Sequence, residues 1–181
     1  QITAFLAAKK NFGVDLEISF ETELLDTGGG LKKTSSFFNG KKPFFLHNVD
    51  IVTNLDLTRL YRHHLEHPAL ATLAVQRRES GRYLIFDGQG RLCGKESIEQ
   101  NKTQWAGARP EHTQRRAFAG IHVISPALFS QMTEEGVFSI TQTYLRLAAK
   151  GVAIQAFDAD SYWWADIGDP AKLETARRLV Q

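Results

Sequence analysis

The sequence predicts an α/β domain built on an open, mostly parallel twisted sheet with helices on both faces. Three observations carry this. Segments with the two-residue alternation of strands recur between segments with helical spacing. Glycine, proline or aspartate punctuates the boundaries. The composition, 43% hydrophobic and 23% charged over 181 residues, is that of a globular domain with a sizeable core.

Taken in order, Ile2, Phe5 and Leu6 have the i, i+3, i+4 spacing of one helix face, with no cap residue before them. A chain that opens in mid-helix is expected to be a fragment. Val14, Leu16, Ile18 and Phe20 alternate with polar residues, which predicts a strand with one buried face. Gly28, Gly29 and Gly30 form a turn before a short helix carrying Leu31, Thr34 and Phe38. Residues 43–49 are apolar enough for a central strand covered on both faces. Leu57, Leu60, Tyr61 and His64 mark a helix stopped by Pro68, and residues 69–75 form the next strand. Residues 83–92 read as a hairpin turning at Asp87-Gly88-Gln89-Gly90. Residues 94–114 are polar and unpatterned, the expectation for a long covering loop. Residues 117–124 form a strand, and Pro126 opens a short helix. Ser139 with Gln142 predicts a capping box for a helix ending at Gly151. Residues 152–157 and 162–165 read as strands. Asp169-Pro170 starts a last helix that buries Leu173, Ala176 and Val180.

Composition also excludes function classes. The net charge is only +2, and the basic pairs Arg77-Arg78 and Arg115-Arg116 stand without a longer tract, which argues against nucleic-acid binding. No apolar run approaches the roughly 18 residues of a membrane span. The single cysteine, Cys93, cannot staple the fold, which suits a reducing cytoplasm. The sequence leaves the oligomeric state open.

In open α/β sheets ligands bind beyond the carboxyl ends of the strands, so the residues just after each strand are the candidates. Gly28 and Gly29 allow close backbone approach to a ligand, and a side chain there is expected to obstruct binding more than folding. As a bare triplet they also fit an ordinary glycine turn. Asp50 leaves the strand of residues 43–49, and Asp166 leaves a strand near the end of the chain. Each alone fits a turn or cap aspartate. Converging, the two carboxylates suit a hard cation such as Mg²⁺, which neutralises phosphate charge in nucleotidyl transfer. His63 and His67 are four apart on a helix, but with no further ligand nearby they read as a solvated helix end. Cys93 has no histidine partner near it in sequence and is not expected to be a nucleophile.

An ordered set of motifs resembles the sugar-1-phosphate nucleotidyltransferases. It comprises Ser19-x-Glu21 with Leu25-x-Thr27-Gly28-Gly29, then Asn48-x-Asp50, Ala119-Gly120-Ile121-His122-Val123, and Trp164-x-Asp166-Ile167-Gly168-x-Pro170. The likeness covers nearly the whole chain and is nearest the short bacterial members. It implies that residues 1–181 form one nucleotidyltransferase domain lacking its first βα unit. It implies that Gly28 and Gly29 approach the nucleotide, with Glu21 and Thr27 shaping that pocket. Asp50 and Asp166 would hold Mg²⁺ and act in catalysis. Gly120 would contact the sugar, with Asn48 and His122 beside it. The substrates implied are a nucleoside triphosphate and a sugar 1-phosphate.

The chain departs from the family pattern twice. The glycine-rich triphosphate loop precedes everything seen here, so these residues alone are not expected to form sugar nucleotide. The Glu-Lys-Pro segment that helps hold the sugar phosphate has no clear match between Leu92 and Lys102, where Lys95 and Lys102 are the lysines on offer. Two other readings compete. One is a glycosyltransferase of related architecture, disfavoured because Asn48 breaks an Asp-x-Asp pair. The other is a non-catalytic sugar-nucleotide-binding or regulatory module of the same fold.

Overall fold

The structure is a computed structural model that describes residues 1–178, Thr175 by its backbone alone. Its helices are α1 (Ile2–Ala8), α2 (Asp26–Lys33), α3 (Leu57–Glu66), α4 (Ile140–Ala148) and α5 (Pro170–Arg177). The strands are β1 (Phe44–His47), β2 (Ile51–Thr53), β3 (Ala71–Gln76), β4 (Arg82–Asp87), β5 (Leu92–Ser97), β6 (Lys102–Trp105), β7 (Thr113–Ile124), β8 (Ile154–Asp158) and β9 (Trp164–Asp166).

The strand β3 is buried at every position and lies between β7 and β8. The sheet runs β6-β5-β4-β7-β3-β8, and β1 pairs with the C-terminal half of β7. The open α/β sheet expected from the sequence is therefore present. Its strand directions are mixed. The parallel pair among the described residues is β3 with β8; the other pairings of this sheet are antiparallel. Short connections allow only antiparallel neighbours, and β4, β5 and β6 follow one another through tight turns. The first turn is set by Asp87, whose Oδ1 accepts the backbone N–H of Gln89 at 2.8 Å and of Arg91 at 2.9 Å.

Both faces are covered. Tyr144 and Leu147 of α4 and Leu31 of α2 pack with Leu73, Val75 and Ile124 on one face. On the other, Leu60 of α3 packs with Ala74, Ile121 and Val123. The helix α3 starts where Asp56 Oδ1 accepts the Arg59 N–H at 3.1 Å. Its buried His64 is satisfied by Thr72 Oγ1 at 2.8 Å. Among the described residues no helix is long and apolar enough to cross a membrane.

Several expectations change. Residues 14–20 form no strand; Val14, Ile18 and Phe20 are exposed, because alternation specifies a face but no neighbour among the described residues supplies a hydrogen-bonding edge. Residues 94–114 are not a loop: they continue β5, add β6 and begin β7. Residues 43–49 supply an outer, half-buried strand, β1, not a strand covered on both faces. The Ser139 side chain does not cap α4; its Oγ lies 3.1 Å from Thr141 Oγ1 instead. In α5, Ala176 is buried and Leu173 is exposed, while Val180 lies outside the described residues.

The feature that organises the site is an irregularity in β7. Leu73 pairs with His122 but Val75 pairs with Phe118, so residues 119–121 stand opposite Ala74 alone. Gly120 sits at its centre with φ +77°, a conformation glycine adopts without strain. The disturbed segment presents three carbonyls to the surrounding elements. Phe118 O accepts from Arg78 Nη2 at 2.8 Å, Ala119 O from Trp164 Nε1 at 2.9 Å, and Gly120 O from Asn48 N at 2.9 Å. One local departure from the ladder thus anchors both chain segments that carry the candidate aspartates.

Candidate functional site

A cleft of about 580 Å³ opens beside this irregularity, within the usual range for small-molecule sites. Its walls come from three places. Asp26 and Thr27 face it from the start of α2, and Ser139, Ile140 and Thr141 from the start of α4. Tyr83, Leu84, Lys95, Ser97, Lys102 and Gln104 line it from the β4-β5-β6 meander. Asn48, Phe118 and His122 close the end nearest the irregularity. Arg82, Lys95 and Lys102 outnumber the carboxylates of Asp26 and Glu96 in the lining, and Glu96 is held partly by Arg115 at 3.4 Å, so the cleft is weakly cationic. Such a field favours a phosphorylated ligand.

Asn48, Gly120 and His122 are brought together. A Cβ on Gly120 would meet Asn48 Nδ2 at 3.2 Å and Ile51 Cγ1 at 3.0 Å, so only glycine lets the asparagine turn pack here. His122 is fully buried. Its Nδ1 lies 2.9 Å from the Tyr144 hydroxyl. Burial, with a smaller contribution from the charge of His47, pushes its pKa down to about 3, so the ring is neutral.

Asp50 and Asp166 are also brought together. The two-stranded ribbon of β2 and β9 pairs Ile51 with Asp166, and Ile167 N donates to Asp50 O at 2.8 Å. A Cβ on Gly168 would stand 3.1 Å from Asp166 Oδ1 and 3.3 Å from Asp50 Oδ2, so both carboxylates border one small space. Asp50 is exposed and lies two residues beyond the cleft-lining Asn48. Asp166 Oδ2 accepts from Lys172 Nζ at 2.8 Å, and Oδ1 accepts from Gly168 N at 2.8 Å. Those bonds, Lys172 foremost, hold its carboxyl below the usual range, and the nearby Arg78 charge adds to the effect. The Arg78 guanidinium stacks on Trp164 with its carbon 3.6 Å from the ring centre. Among the described residues no cluster of three His, Cys, Asp or Glu side chains forms a metal cage. The donors present are two carboxylates open to solvent on one side. That set suits a hard cation that keeps several waters, as Mg²⁺ does. The ammonium of Lys172 shows that the place already attracts positive charge.

The glycine run is placed differently from the turn expected. Gly28 and Gly29 lie inside α2 and are buried. Both donate their N–H to Phe138 O, at 2.9 and 3.3 Å. A Cβ on Gly28 would overlap the Phe138 ring, and one on Gly29 the Gly136 carbonyl oxygen. Their close approach is thus to residues 136–138, which docks α2 against the start of α4. Thr27 faces the cleft beside them. Glu21 is not part of its lining; Oε2 accepts from Leu25 N at 2.9 Å, tying the preceding segment to the helix start.

His63 and His67 stack at 4.1 Å between ring centres, with His67 Nδ1 3.0 Å from the His63 carbonyl oxygen, as a helix end would arrange them. Cys93 Sγ donates to Ile85 O at 3.3 Å, and burial raises its thiol pKa, which disfavours the thiolate. Sequence reasoning missed Tyr83, Phe118 and Thr141 as cleft residues and Arg78 as a neighbour of Asp166. The available signal was the polar run on β5 and β6, where apolar alternation gives way because one wall faces a polar cleft.

The profile of the family described as Nucleotidyl transferase matches residues 2–181. The chain is 28% identical to a mannose-1-phosphate guanylyltransferase catalytic subunit beta of Drosophila pseudoobscura pseudoobscura, over 92% of this chain and 43% of that protein. It is 25% identical to a mannose-1-phosphate guanyltransferase of Yarrowia lipolytica, over 90% of this chain and 43% of that protein. The chain therefore spans less than half the length of these relatives. Among solved structures it is similar to HddC from Yersinia pseudotuberculosis, with a TM-score of 0.73 and 16% identity, over 99% of this chain and 73% of that one. HddC has also been solved in complex with GMP-PN.

Proposed function

Since the chain belongs to the nucleotidyl transferase family, we propose that it is the substrate-binding and carboxylate-bearing part of a sugar-1-phosphate nucleotidyltransferase. The reaction joins a sugar 1-phosphate to a nucleoside triphosphate and releases pyrophosphate. The observation that carries this is the convergence of Asp50 and Asp166 at Gly168, beside the cationic cleft. Helices α2, α3 and α4 and the β2-β9 ribbon pack around one seven-stranded sheet covered on both faces, so we read residues 1–181 as one domain.

In this reading a phosphate oxygen of the sugar 1-phosphate attacks the α-phosphorus in line, and pyrophosphate departs with the bonding electrons. Asp50 and Asp166 would hold Mg²⁺, which supplies charge neutralisation at the phosphates when bound. Lys172 must then give up Asp166 Oδ2. The chain's other residues bind and orient. Lys95 and Lys102 face the cleft and replace the missing Glu-Lys-Pro lysine as holders of the sugar phosphate. Asn48, Gly120 and His122 form the sugar end. Thr27 faces the nucleotide, and Gly28, Gly29 and Glu21 fix the helix that presents it. Positioning two anions side by side supplies most of the catalysis. We place the protein in the cytoplasm, a reducing compartment that suits the thiol form of Cys93.

The first substrates to try are mannose 1-phosphate and GTP, after the activity for which the relatives are named. The test is pyrophosphate release by the full-length protein across a panel of hexose 1-phosphates and nucleoside triphosphates. Product must depend on both substrates and on a divalent cation. Consumption of sugar nucleotide with transfer to an acceptor would establish the glycosyltransferase reading instead.

A further inference from the structure

We propose that Tyr144 fixes His122 as a neutral hydrogen-bond donor at the base of the cleft, and that its Nε2–H takes a hydroxyl oxygen of the sugar. This rests on the reading of the cleft as a sugar-phosphate site.

The tautomer follows from counting protons. Tyr144 is fully buried, and its hydroxyl has His122 Nδ1 as its hydrogen-bonding partner. If Nδ1 carried a proton, that proton and the tyrosine proton would compete for one contact, and a buried donor would be left over. The arrangement that wastes nothing has Tyr144 Oη–H donating to an unprotonated Nδ1. A neutral imidazole then carries its proton on Nε2.

That second nitrogen is buried and has no hydrogen-bonding partner among the described residues. No acceptor among the described residues is placed to bond it. The cross-strand neighbours of His122 are Leu46 and Leu73, and Phe118 meets the ring edge-on at 4.6 Å. Nδ1 points to Tyr144, which is not part of the cleft lining, whereas His122 and Phe118 are. The unpartnered edge of the ring is therefore the one assigned to the ligand, and because Nε2 is closed off from solvent here, the wall beside Phe118 must yield as the sugar enters. A neutral donor at this depth binds and orients; it has no proton to exchange in the reaction. It selects a ligand that presents an acceptor oxygen there, and an analogue lacking that oxygen leaves the donor unpaired. Tyr144 acts through His122 and is a positioning residue.

The test uses the full-length protein with ¹⁵N-labelled histidine. In the free protein the His122 signals should report a neutral ring protonated at Nε2. Mannose 1-phosphate or glucose 1-phosphate should shift the Nε2–H signal, and inorganic phosphate should not. Tyr144→Phe keeps the ring and removes only the hydroxyl. It should mix the two tautomers and raise KM for the sugar phosphate on the order of 10-fold, with kcat and the nucleotide KM changed by less than about 2-fold. His122→Phe should raise the same KM, and adding Tyr144→Phe to it should cost little more. A proton found on Nδ1 overturns the proposal, as does a signal unmoved by both sugar phosphates or moved equally by inorganic phosphate. A folded Tyr144→Phe protein with unchanged KM overturns it too. Loss of turnover in the unmutated protein would instead count against the assigned reaction, which the tautomer measurement does not need.

Discussion

Asp50 and Asp166 each place a carboxylate oxygen against the space that a Cβ on Gly168 would enter, although 116 positions separate them in the sequence. Their backbones are tied as well, through the pairing of Ile51 with Asp166 and the bond from Ile167 N to Asp50 O. Two anions so placed repel each other unless a cation sits between or beside them. In the full-length protein, Asp50→Asn and Asp166→Asn should each lower kcat on the order of 100-fold. The double substitution should be little worse than the worse single one, because the pair acts as a unit. Pyrophosphate release at several Mg²⁺ concentrations measures both effects. Activity retained by either variant at low Mg²⁺ would remove the pair from the metal site.

Gly168→Ala probes the same space without altering charge. The added methyl would stand 3.1 Å from Asp166 Oδ1 and 3.3 Å from Asp50 Oδ2, tighter than ordinary contact, while Gly168 itself is exposed. Divalent-cation affinity should fall by about 10-fold with thermal stability nearly unchanged. Calorimetric titration with Mn²⁺ and a melting curve on the same sample separate the outcomes. A large drop in melting temperature with unaltered cation binding would assign Gly168 to the fold.

At Gly29 the structure reverses the expectation drawn from the sequence. A side chain there meets the Gly136 carbonyl oxygen and, at 2.9 Å, Leu25 Cβ, neither of which is the end of a flexible chain. Gly29→Ala should cost about 2 kcal/mol of stability or more, since overpacking forces the backbone to move. Any change in nucleotide affinity then follows from displacement of Thr27. Denaturant unfolding of the variant gives the first quantity. Unfolding that matches the parent, together with weakened nucleotide binding, would restore the direct-contact reading.

The sequence revealed the parts of this protein whose signal is local. Residues 71–75 read as a strand because β3, covered on both faces, is mostly apolar there, and the Leu60-His64 spacing marks the buried side of α3. Asp50 and Asp166 stood out because each follows a strand and precedes a turn. What stayed hidden depends on partners. Residues 14–20 alternate like a strand yet lack an edge to pair with. Residues 94–114 looked unstructured because Lys95, Lys102 and Gln104 face a polar cleft, so no apolar period is written there. The irregularity of β7 was invisible since Gly120 reveals its φ only in three dimensions, and with it went the roles of Arg78 and Phe118. The glycines of α2 were read as ligand contacts because a close approach to protein and one to a ligand demand the same residue.

Away from the site, Glu134 and Arg146 set a limit on acid stability. Arg146 Nε and Nη2 donate to the two carboxylate oxygens of Glu134 at 2.6 and 3.0 Å, and Nη2 also donates to Gln131 O at 2.7 Å. The Glu134 side chain is only 9% exposed. Its bond to Arg146 lowers its pKa to about 2 from an ordinary 4.5. A carboxyl whose folded pKa is depressed stabilises the fold fully above its unfolded value. That contribution is lost as pH falls from about 4.5 toward 2, where the folded protein must at last take up the proton. The whole pair contributes roughly 2 kcal/mol at neutral pH, allowing for the partial exposure of Arg146. Glu134→Gln keeps the shape but removes the charge that holds Arg146. It should lower stability by roughly that amount at pH 7 and by almost nothing at pH 2. The comparison is of unfolding free energies for parent and variant between pH 7 and pH 2, in urea. The two curves must converge as the pH drops below about 4.5; a constant gap across that range would mean that the carboxylate of Glu134 carries no charge-dependent stability.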